Sequence, residues 1–284
     1  MDQRIIELYD EYTHRPLTRD QFLKNLISLT GSLAAAYSIL PLLEGNYASA
    51  ETVEENDLHT ERVEYETKFG KMKGYLAKPK TGEKLPAVMV IHENRGLNAH
   101  IEDVARRAAS AGFLALAPDG LSSLGGTPAN EDEARQLFQQ LVAGENTERF
   151  AAAVPYLRER PDCTGSVGAV GFCWGGAMSN QLAVNAPDLK AAVAFYGRQP
   201  AVAEAAKIKA AVQLHYAALD ERVNAGMKEY EQALKDNGIR YEQYVYEGVQ
   251  HAFHNDTSAA RYNKEAATLS WSRTLAFFNK YLRS

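Results

Sequence analysis

The sequence lacks most of the features that would place it in a specialised class of protein. Only two cysteines, Cys163 and Cys173, occur among 284 residues, so no disulfide framework is predicted. There is no paired Cys/His spacing and no glycine-rich phosphate loop, so we expect chemistry without a metal or a cofactor. No basic run or basic-aromatic stripe is present and the net charge is −5, so nucleic acid is not an expected partner.

Long uninterrupted apolar stretches are also absent. The most apolar segment, residues 26–43, is broken by Gly31 and Pro41 and is rich in alanine and serine, which makes it a poor membrane span. With 45% hydrophobic residues, a chain of this length can still bury one sizeable core. We therefore expect no membrane span.

The first 60 residues differ in pattern from the rest of the chain. Residues 18–24 are similar to a twin-arginine export motif, except that Asp20 stands where the second arginine is expected. The apolar segment and Ala48-Ser49-Ala50 follow in the order of a secretory signal. The alternative, which we prefer, is a retained helical extension that packs on the following domain or on a partner subunit, with an acidic linker at residues 51–57.

These two interpretations of residues 1–60 predict different outcomes. Retention predicts a cytoplasmic protein and would allow a homo-oligomer formed through the extension, whereas a working export signal predicts a periplasmic protein.

Residues 61–284 show alternating strand and helix patterns. A hairpin is predicted at residues 62–68 and 71–78 around Phe69-Gly70. Further strands are predicted at 85–91, 113–117, 167–170, 191–196, 211–216 and 241–246, and helices at 101–111, 131–160 (interrupted near Gly144), 177–183, 225–237 and 260–282. This alternation predicts an α/β fold with a mostly parallel central sheet covered by helices on both faces. The active site of such a sheet lies beyond the carboxyl ends of its strands.

The most informative motif is Gly171-Phe172-Cys173-Trp174-Gly175-Gly176, between a predicted strand and a predicted helix. A strand, a Gly-x-nucleophile-x-Gly turn and a helix form the nucleophile elbow of α/β-hydrolases, where the central residue is usually serine. The glycines are needed because a Cβ at either position would clash in this tight turn. Cys173 is therefore the candidate nucleophile, although a free cysteine is more often a small buried hydrophobic residue.

Two further polar residues follow predicted strands in the chain order of an α/β-hydrolase triad. Asp220 comes after the strand at 211–216, and His251 after the strand at 241–246. Asp220 could instead cap the next helix. His254 competes for the histidine role, but His251 comes first after the turn.

Glu93 follows the buried strand at 85–91, in the loop that usually supplies the second oxyanion-hole amide. A carboxylate beside the elbow would oppose a second negative charge, so the resting thiol should keep a high pKa. The alternative is a solvated acid that pairs with Arg95.

With these motifs, residues 60–284 resemble the dienelactone hydrolase (carboxymethylenebutenolidase) family. The resemblance implies that Cys173 is the nucleophile, that His251 is the base and later the acid, and that Asp220 orients His251. It also implies that Glu93 helps to deprotonate the thiol, and that the N–H groups of Trp174 and Asn94 form the oxyanion hole.

The substrate is less defined by this resemblance. Family members bind the carboxylate of dienelactone with arginines, one of them four residues after the active-site histidine, where this chain has Asn255. Arg135 is the candidate for the other arginine. We therefore expect a small-molecule ester or lactone as the partner and its hydrolysis as the reaction, with a thioesterase or a general carboxylesterase as the alternative. A non-catalytic binding or assembly protein is disfavoured because the three triad residue types occur together.

Overall fold

The computed structural model describes residues 1–15, 17–44, 52–53, 56–80 and 82–283. These residues contain one eight-stranded sheet with the strand order β1-β2-β4-β3-β5-β6-β7-β8. The strands β1 and β2 form the predicted antiparallel hairpin, β2 is also antiparallel to β4, and all other pairs are parallel. Their bounds are β1 Leu58–Tyr65, β2 Met72–Pro79, β3 Leu85–Ile91, β4 Leu114–Pro118, β5 Cys163–Phe172, β6 Ala191–Phe195, β7 Ala211–Ala217 and β8 Tyr241–Tyr246.

Helices flank the sheet on both faces, as the sequence predicts. One face packs against α4 and α11, through side chains such as Val104 and Phe278, and the other packs against α6, α7, α8 and α10. The helices are α1 Gln3–His14, α2 Arg19–Thr30, α3 Leu33–Leu43, α4 Ala99–Ser110, α5 Glu131–Phe138, α6 Ala143–Ala151, α7 Ala153–Arg158, α8 Trp174–Asn185, α9 Glu221–Asn224, α10 Met227–Asp236 and α11 Lys264–Leu282. Short 3₁₀ segments occupy Ser122–Leu124 and Val202–Lys207.

The long helix predicted at residues 131–160 is three separate helices. The first break lies at residues 139–142, before Gly144, where Gln139 and Gln140 form the shorter i→i+3 bonds of a 3₁₀ turn. The second break, at Ala152, has a different cause. Pro155 has no N–H to donate to the carbonyl of Ala151, so α6 cannot continue directly into α7.

The helices α1, α2 and α3 form a third apolar cluster, which packs on the same chain. The rings of Tyr12 and Phe22 stack with their centroids 4.5 Å apart, and Thr18 begins α2 with a capping box. The cluster is joined to the rest of the fold by an ion pair between Arg19 and Asp132, 2.7 Å long. The predicted cleavage-site residues 48–50 and residues 51, 54 and 55 of the predicted linker lie outside the described residues.

In the described part of the chain, no single helix has the length and apolar composition needed to cross a membrane. The helices α2 and α3 reach that length and composition only when they are taken together, and a bend of 114° separates them.

Candidate active site

Cys173 occupies the strained turn that the motif predicts, between the end of β5 and the start of α8. Its backbone has φ 55° and ψ −111°, in a region that residues other than glycine rarely adopt. A Cβ on Gly171 would lie 1.8 Å from the carbonyl oxygen of Gly175, and one on Gly175 would lie 2.3 Å from the carbonyl oxygen of Ile91. Both glycines are therefore required for this close approach of the backbone segments.

Trp174 and Asn94 lie beside the nucleophile, where the resemblance requires oxyanion-hole donors. Trp174 is the first residue of α8, so its N–H has no partner within the helix. Asn94 follows β3 and, with Trp174 and Cys173, lines the largest cavity at the site. The Asn94 side chain itself donates to the carbonyl oxygen of Thr13 in α1, across 2.6 Å. Their role as an oxyanion hole stays a prediction.

His251 and Asp220 form a buried, hydrogen-bonded pair next to Cys173. Nδ1 of His251 lies 2.5 Å from Oδ2 of Asp220, and both residues are buried. The other oxygen, Oδ1, accepts the N–H of Val223 at 3.1 Å and caps α9. Asp220 therefore makes the helix cap that the sequence offered as an alternative, in addition to orienting the histidine.

The competing histidine, His254, does not reach the nucleophile. It is buried against Phe172, with ring centroids 4.9 Å apart, and burial lowers its pKa to about 3. The structure brings His251, and not His254, to Cys173 and Asp220.

A second histidine, which the sequence analysis missed, lies directly on the thiol. Nε2 of His14, at the end of α1, is 3.0 Å from Sγ of Cys173. The rings of His14 and His251 meet edge to face with centroids 4.9 Å apart. No motif surrounds His14, and it lies 159 positions before Cys173 in the chain. Only the packing of α1 over the strand ends brings the two together.

The charges around the sulfur favour the thiolate. Burial alone would raise the pKa of Cys173, but the neighbouring imidazoles of His14 and His251 lower it to about 6. Burial alone would lower the pKa of His251, but the negative charges of Asp10, Cys173 and Asp220 raise it well above its ordinary value. The expectation of a resting thiol with a high pKa is therefore wrong, because two imidazoles outweigh the effect expected of one carboxylate.

Glu93 is a partly buried acid that contacts the same site. Its Oε2 accepts a hydrogen bond from Nδ2 of Asn255 at 2.8 Å, while Oε1 is buried without a partner. Burial and the charges of Glu93 and Cys173 raise the pKa of Tyr196 well above its usual range. Arg95, the suggested partner of Glu93, pairs with Glu131 at 3.6 Å. Glu93 is thus not a solvated loop residue, and its effect on the thiol stays a prediction.

The largest cavity at the site has a volume of about 540 Å³ and opens onto Cys173. Four arginines line it (Arg15, Arg135, Arg198 and Arg222), and no carboxylate is among the described residues of its wall. Arg135 is mostly buried and partly occupied by α1, since its Nη1 donates to the carbonyl oxygen of Tyr12 at 3.3 Å. The guanidinium also lies over the Tyr12 ring, 4.4 Å from its centroid.

Two groups of side chains have ligand atoms close enough to share a metal ion. The atoms of His14, Cys173 and His251 lie within 4.8 Å of one another, as do those of Asp10, Asp220 and His251. The second group is already satisfied in part by the bond between His251 and Asp220. In the first group, one hydrogen-bond contact is present, between Nε2 of His14 and Sγ of Cys173 at 3.0 Å.

Comparisons with known proteins agree on one family. The model of the dienelactone hydrolase family matches residues 72–282. Protein usf of Aquifex pyrophilus is 36% identical over 230 residues, which cover 78% of this chain and 98% of that protein. A candidate carboxymethylenebutenolidase of Aquifex aeolicus is 32% identical over 231 residues, which cover 78% of this chain and 98% of that protein.

A solved structure leads to the same conclusion. The crystal structure of a candidate dienelactone hydrolase from Klebsiella pneumoniae subsp. pneumoniae superposes with a TM-score of 0.71 at 29% identity. The superposition covers 80% of this chain and 100% of the Klebsiella chain. Because the family model spans most of the sequence, including the elbow and both loops that carry Asp220 and His251, the chain belongs to the dienelactone hydrolase family.

Proposed function

We propose that this protein hydrolyses a carboxylic ester or lactone through Cys173, His251 and Asp220. The observation that carries the proposal is the position of Cys173 at the strained elbow, within 4.8 Å of a histidine that is hydrogen-bonded to a buried carboxylate. A nucleophile, a base and a group that orients the base are the parts that acyl transfer needs. Family membership supports a hydrolase of this kind.

The first half of the reaction forms a thioester. The Cys173 thiolate attacks the ester carbonyl, and the carbonyl oxygen becomes an oxyanion that the N–H groups of Trp174 and Asn94 stabilise. Loss of one such donor typically costs about 10²–10³ in rate. When the oxyanion collapses, the bond to the alcohol oxygen breaks, and the departing alkoxide must gain a proton.

The second half releases the acid. Nε2 of His251 takes a proton from water, the hydroxide attacks the thioester, and the Cys173 thiolate leaves. Nε2 is free for this step, since it is buried without a hydrogen-bond partner. A second cavity, of about 30 Å³, is bounded by Glu93, Cys173, His251 and Asn255, which is room enough for one water molecule beside the acyl group.

The charge of the large cavity favours a substrate that carries an anion. Arginines hold carboxylates through paired N–H donors, and Arg198 is exposed in this wall. These arginines line a different cavity from Asn255, which stands where the family has an arginine, and Cys173 borders both cavities. We propose an ester or lactone with a carboxylate on its acyl part as the substrate class.

A pair of chromogenic esters tests both parts of this proposal. We expect the 4-nitrophenyl monoester of a short dicarboxylic acid to be hydrolysed with a higher kcat/KM than 4-nitrophenyl acetate. Cys173→Ala should abolish hydrolysis of both. Arg198→Gln should raise KM about tenfold for the anionic ester only, while Arg158→Gln, at an exposed arginine of α7, should change neither. Equal kcat/KM values for the two esters, together with an unchanged KM in Arg198→Gln, would contradict the anion site. Activity in Cys173→Ala would contradict the assignment of the nucleophile.

A further inference from the structure

We infer that His14 is a second catalytic histidine, which takes the thiol proton of Cys173 and delivers it to the departing alcohol. This inference rests on the proposed function. It assigns a role in the chemistry to the N-terminal helix α1, which lies before the start of the match to the family model.

The hydrogen bonds of the two histidines fix which nitrogen of each ring faces the sulfur. Nδ1 of His14 lies 2.8 Å from the carbonyl oxygen of Asp10, and a carbonyl oxygen only accepts, so Nδ1 carries the proton. Nδ1 of His251 likewise faces the Asp220 carboxylate. In the neutral form of each ring the lone pair is therefore on Nε2, which is the nitrogen directed toward the reacting centre.

The two rings are not equivalent in their contact with the thiol. Nε2 of His14 is at hydrogen-bond distance from Sγ, 3.0 Å, whereas Nε2 of His251 has no hydrogen-bond partner. One thiol proton can be accepted by only one ring. The geometry assigns that proton to His14. His251 can then accept a proton from water in the second half of the cycle, when the thioester has removed the negative charge of Cys173, one of the charges that raise the pKa of His251.

The protons balance over one turnover. Cys173 and His14 together hold one proton at rest, across the 3.0 Å between Sγ and Nε2, and His14 keeps it when the thiolate attacks the carbonyl. During thioester formation His14 gives its proton to the alkoxide, and the alcohol leaves. During thioester hydrolysis His251 takes one proton from water, and the carboxylic acid product loses another to solvent when it ionises. The proton on His251 then passes to the pair of Cys173 and His14, whose atoms lie within 4.8 Å of His251, and the resting state is restored.

The position of His14 is held by contacts that span the site. Two side chains donate to carbonyl oxygens of α1: Asn94 to that of Thr13, and Arg135 to that of Tyr12. Helix α2 is held in turn by the bond from Arg19 to Asp132. Charged groups from several elements surround the site: Asp10 from α1, Glu93 after β3, Asp220 and Arg222 around the start of α9, and His251 and Arg261 between β8 and α11. The end of α1, and His14 with it, is therefore held at the site by side chains of the following domain.

The test compares two esters of the same acid, one with a 4-nitrophenolate leaving group, which needs no proton, and one with an ethoxide leaving group, which does. We expect His14→Gln in the full-length chain to lower kcat/KM about 10²–10³-fold for the ethyl ester, within the usual range of general acid catalysis. For the 4-nitrophenyl ester, measured where the thiol is ionised, the loss should be less than about tenfold. Adding imidazole to His14→Ala should restore much of the lost rate.

Several outcomes would overturn the role of His14. Equal losses for both esters without rescue by imidazole would show that His14 has a purely structural role. Faster hydrolysis by His14→Gln would show that His14 blocks access to Cys173. His59→Gln, the same change at an exposed histidine of β1, is the matched control and should change nothing.

The proposed function fails separately, if wild type hydrolyses neither ester or if Cys173→Ala stays active. In that case alkylation of Cys173 at neutral pH still tests the contact, because an unchanged rate in His14→Gln would overturn the inference.

Discussion

The carboxylate of Asp220 serves two partners at once: Oδ2 lies 2.5 Å from Nδ1 of His251, and Oδ1 accepts the N–H of Val223 at 3.1 Å. The first contact orients the histidine, and the second caps α9. Because asparagine caps a helix about as well as aspartate, a substitution can separate the two contacts.

We expect Asp220→Asn to lower kcat/KM by about 10³–10⁴ while leaving the cap intact. The amide oxygen replaces Oδ1 at Val223, so the amide NH₂ faces His251 and drives its proton from Nδ1 to Nε2. The free energy of unfolding is measured for the same variants. It should be about 1 kcal/mol lower for Asp220→Ala than for Asp220→Asn, because alanine loses the helix cap. Asp220→Asn with activity within tenfold of wild type would exclude the orienting role.

The reactivity of Cys173 should rise as pH increases through about 6. A thiol with a pKa lowered to about 6 is protonated below that pH and a thiolate above it, whereas a free cysteine ionises near pH 8.5. The rate of alkylation by iodoacetamide, measured against pH, should follow this curve. Cys163 is an internal control, because burial raises its pKa and it should react slowly in Cys173→Ala. A midpoint near 8.5 for Cys173 would contradict the thiolate.

The same shift links pH to stability. The folded-state pKa of Cys173 is lower than the unfolded one, so its contribution to stability is fully present above the unfolded pKa. That contribution is lost as pH falls through about 6.

Removing the charge of Glu93 should make the thiolate still easier to form. Glu93→Gln keeps an oxygen that can accept the hydrogen bond from Asn255, but it takes a negative charge away from the site. We expect the alkylation curve of Cys173 to move to lower pH while kcat falls, because the small cavity beside Cys173 loses a proton acceptor additional to His14 and His251. Glu148→Gln, at an exposed acid that pairs with Lys68, is the matched control. If the curves of Glu93→Gln and wild type superimpose and kcat is unchanged, Glu93 has no part in the chemistry.

The elbow could be predicted from the sequence because its chemistry is local. The glycines at positions 171 and 175 are required by backbone contacts within one turn, and the run of apolar residues in β3 shows that both faces of this strand are buried. Asp220 and His251 could be placed because parallel strands end at one edge of the sheet. These three inferences need only strand order and the rule that active sites lie at the carboxyl ends.

His14 could not be predicted in this way. Its contact with Cys173 depends on how α1 docks, which is decided by side chains far apart in the chain, such as Tyr12 on Arg135 and Arg19 on Asp132. For the same reason the sequence suggested Arg95 as the partner of Glu93, whereas Arg95 pairs with Glu131. The prediction of a high resting pKa for the thiol was wrong for the same reason, because it did not include the effect of His14 on Cys173.

The catalytic role of His14 requires that residues 1–50 stay attached. Removal of a leader that ends at Ala50 would take His14 and Asp10 away from the site, and Asp20 replaces the second arginine of the export motif. We expect the protein isolated from its native cell to keep its N-terminal helices, as sequencing of its N-terminus or its intact mass will show. A mature chain that begins at Glu51 would contradict both the retention and the role of His14.

The central claim is that catalysis passes through a thioester on Cys173, and trapping that intermediate tests it most directly. The enzyme is mixed with an excess of a 4-nitrophenyl ester, quenched in acid within the first turnover, and analysed by intact mass and peptide mass spectrometry. The account predicts a mass increase of one acyl group on the peptide that contains Cys173, lost on treatment with hydroxylamine and absent from Cys173→Ala. An acyl group on another residue, or product formation by Cys173→Ala at the wild-type rate, would contradict it.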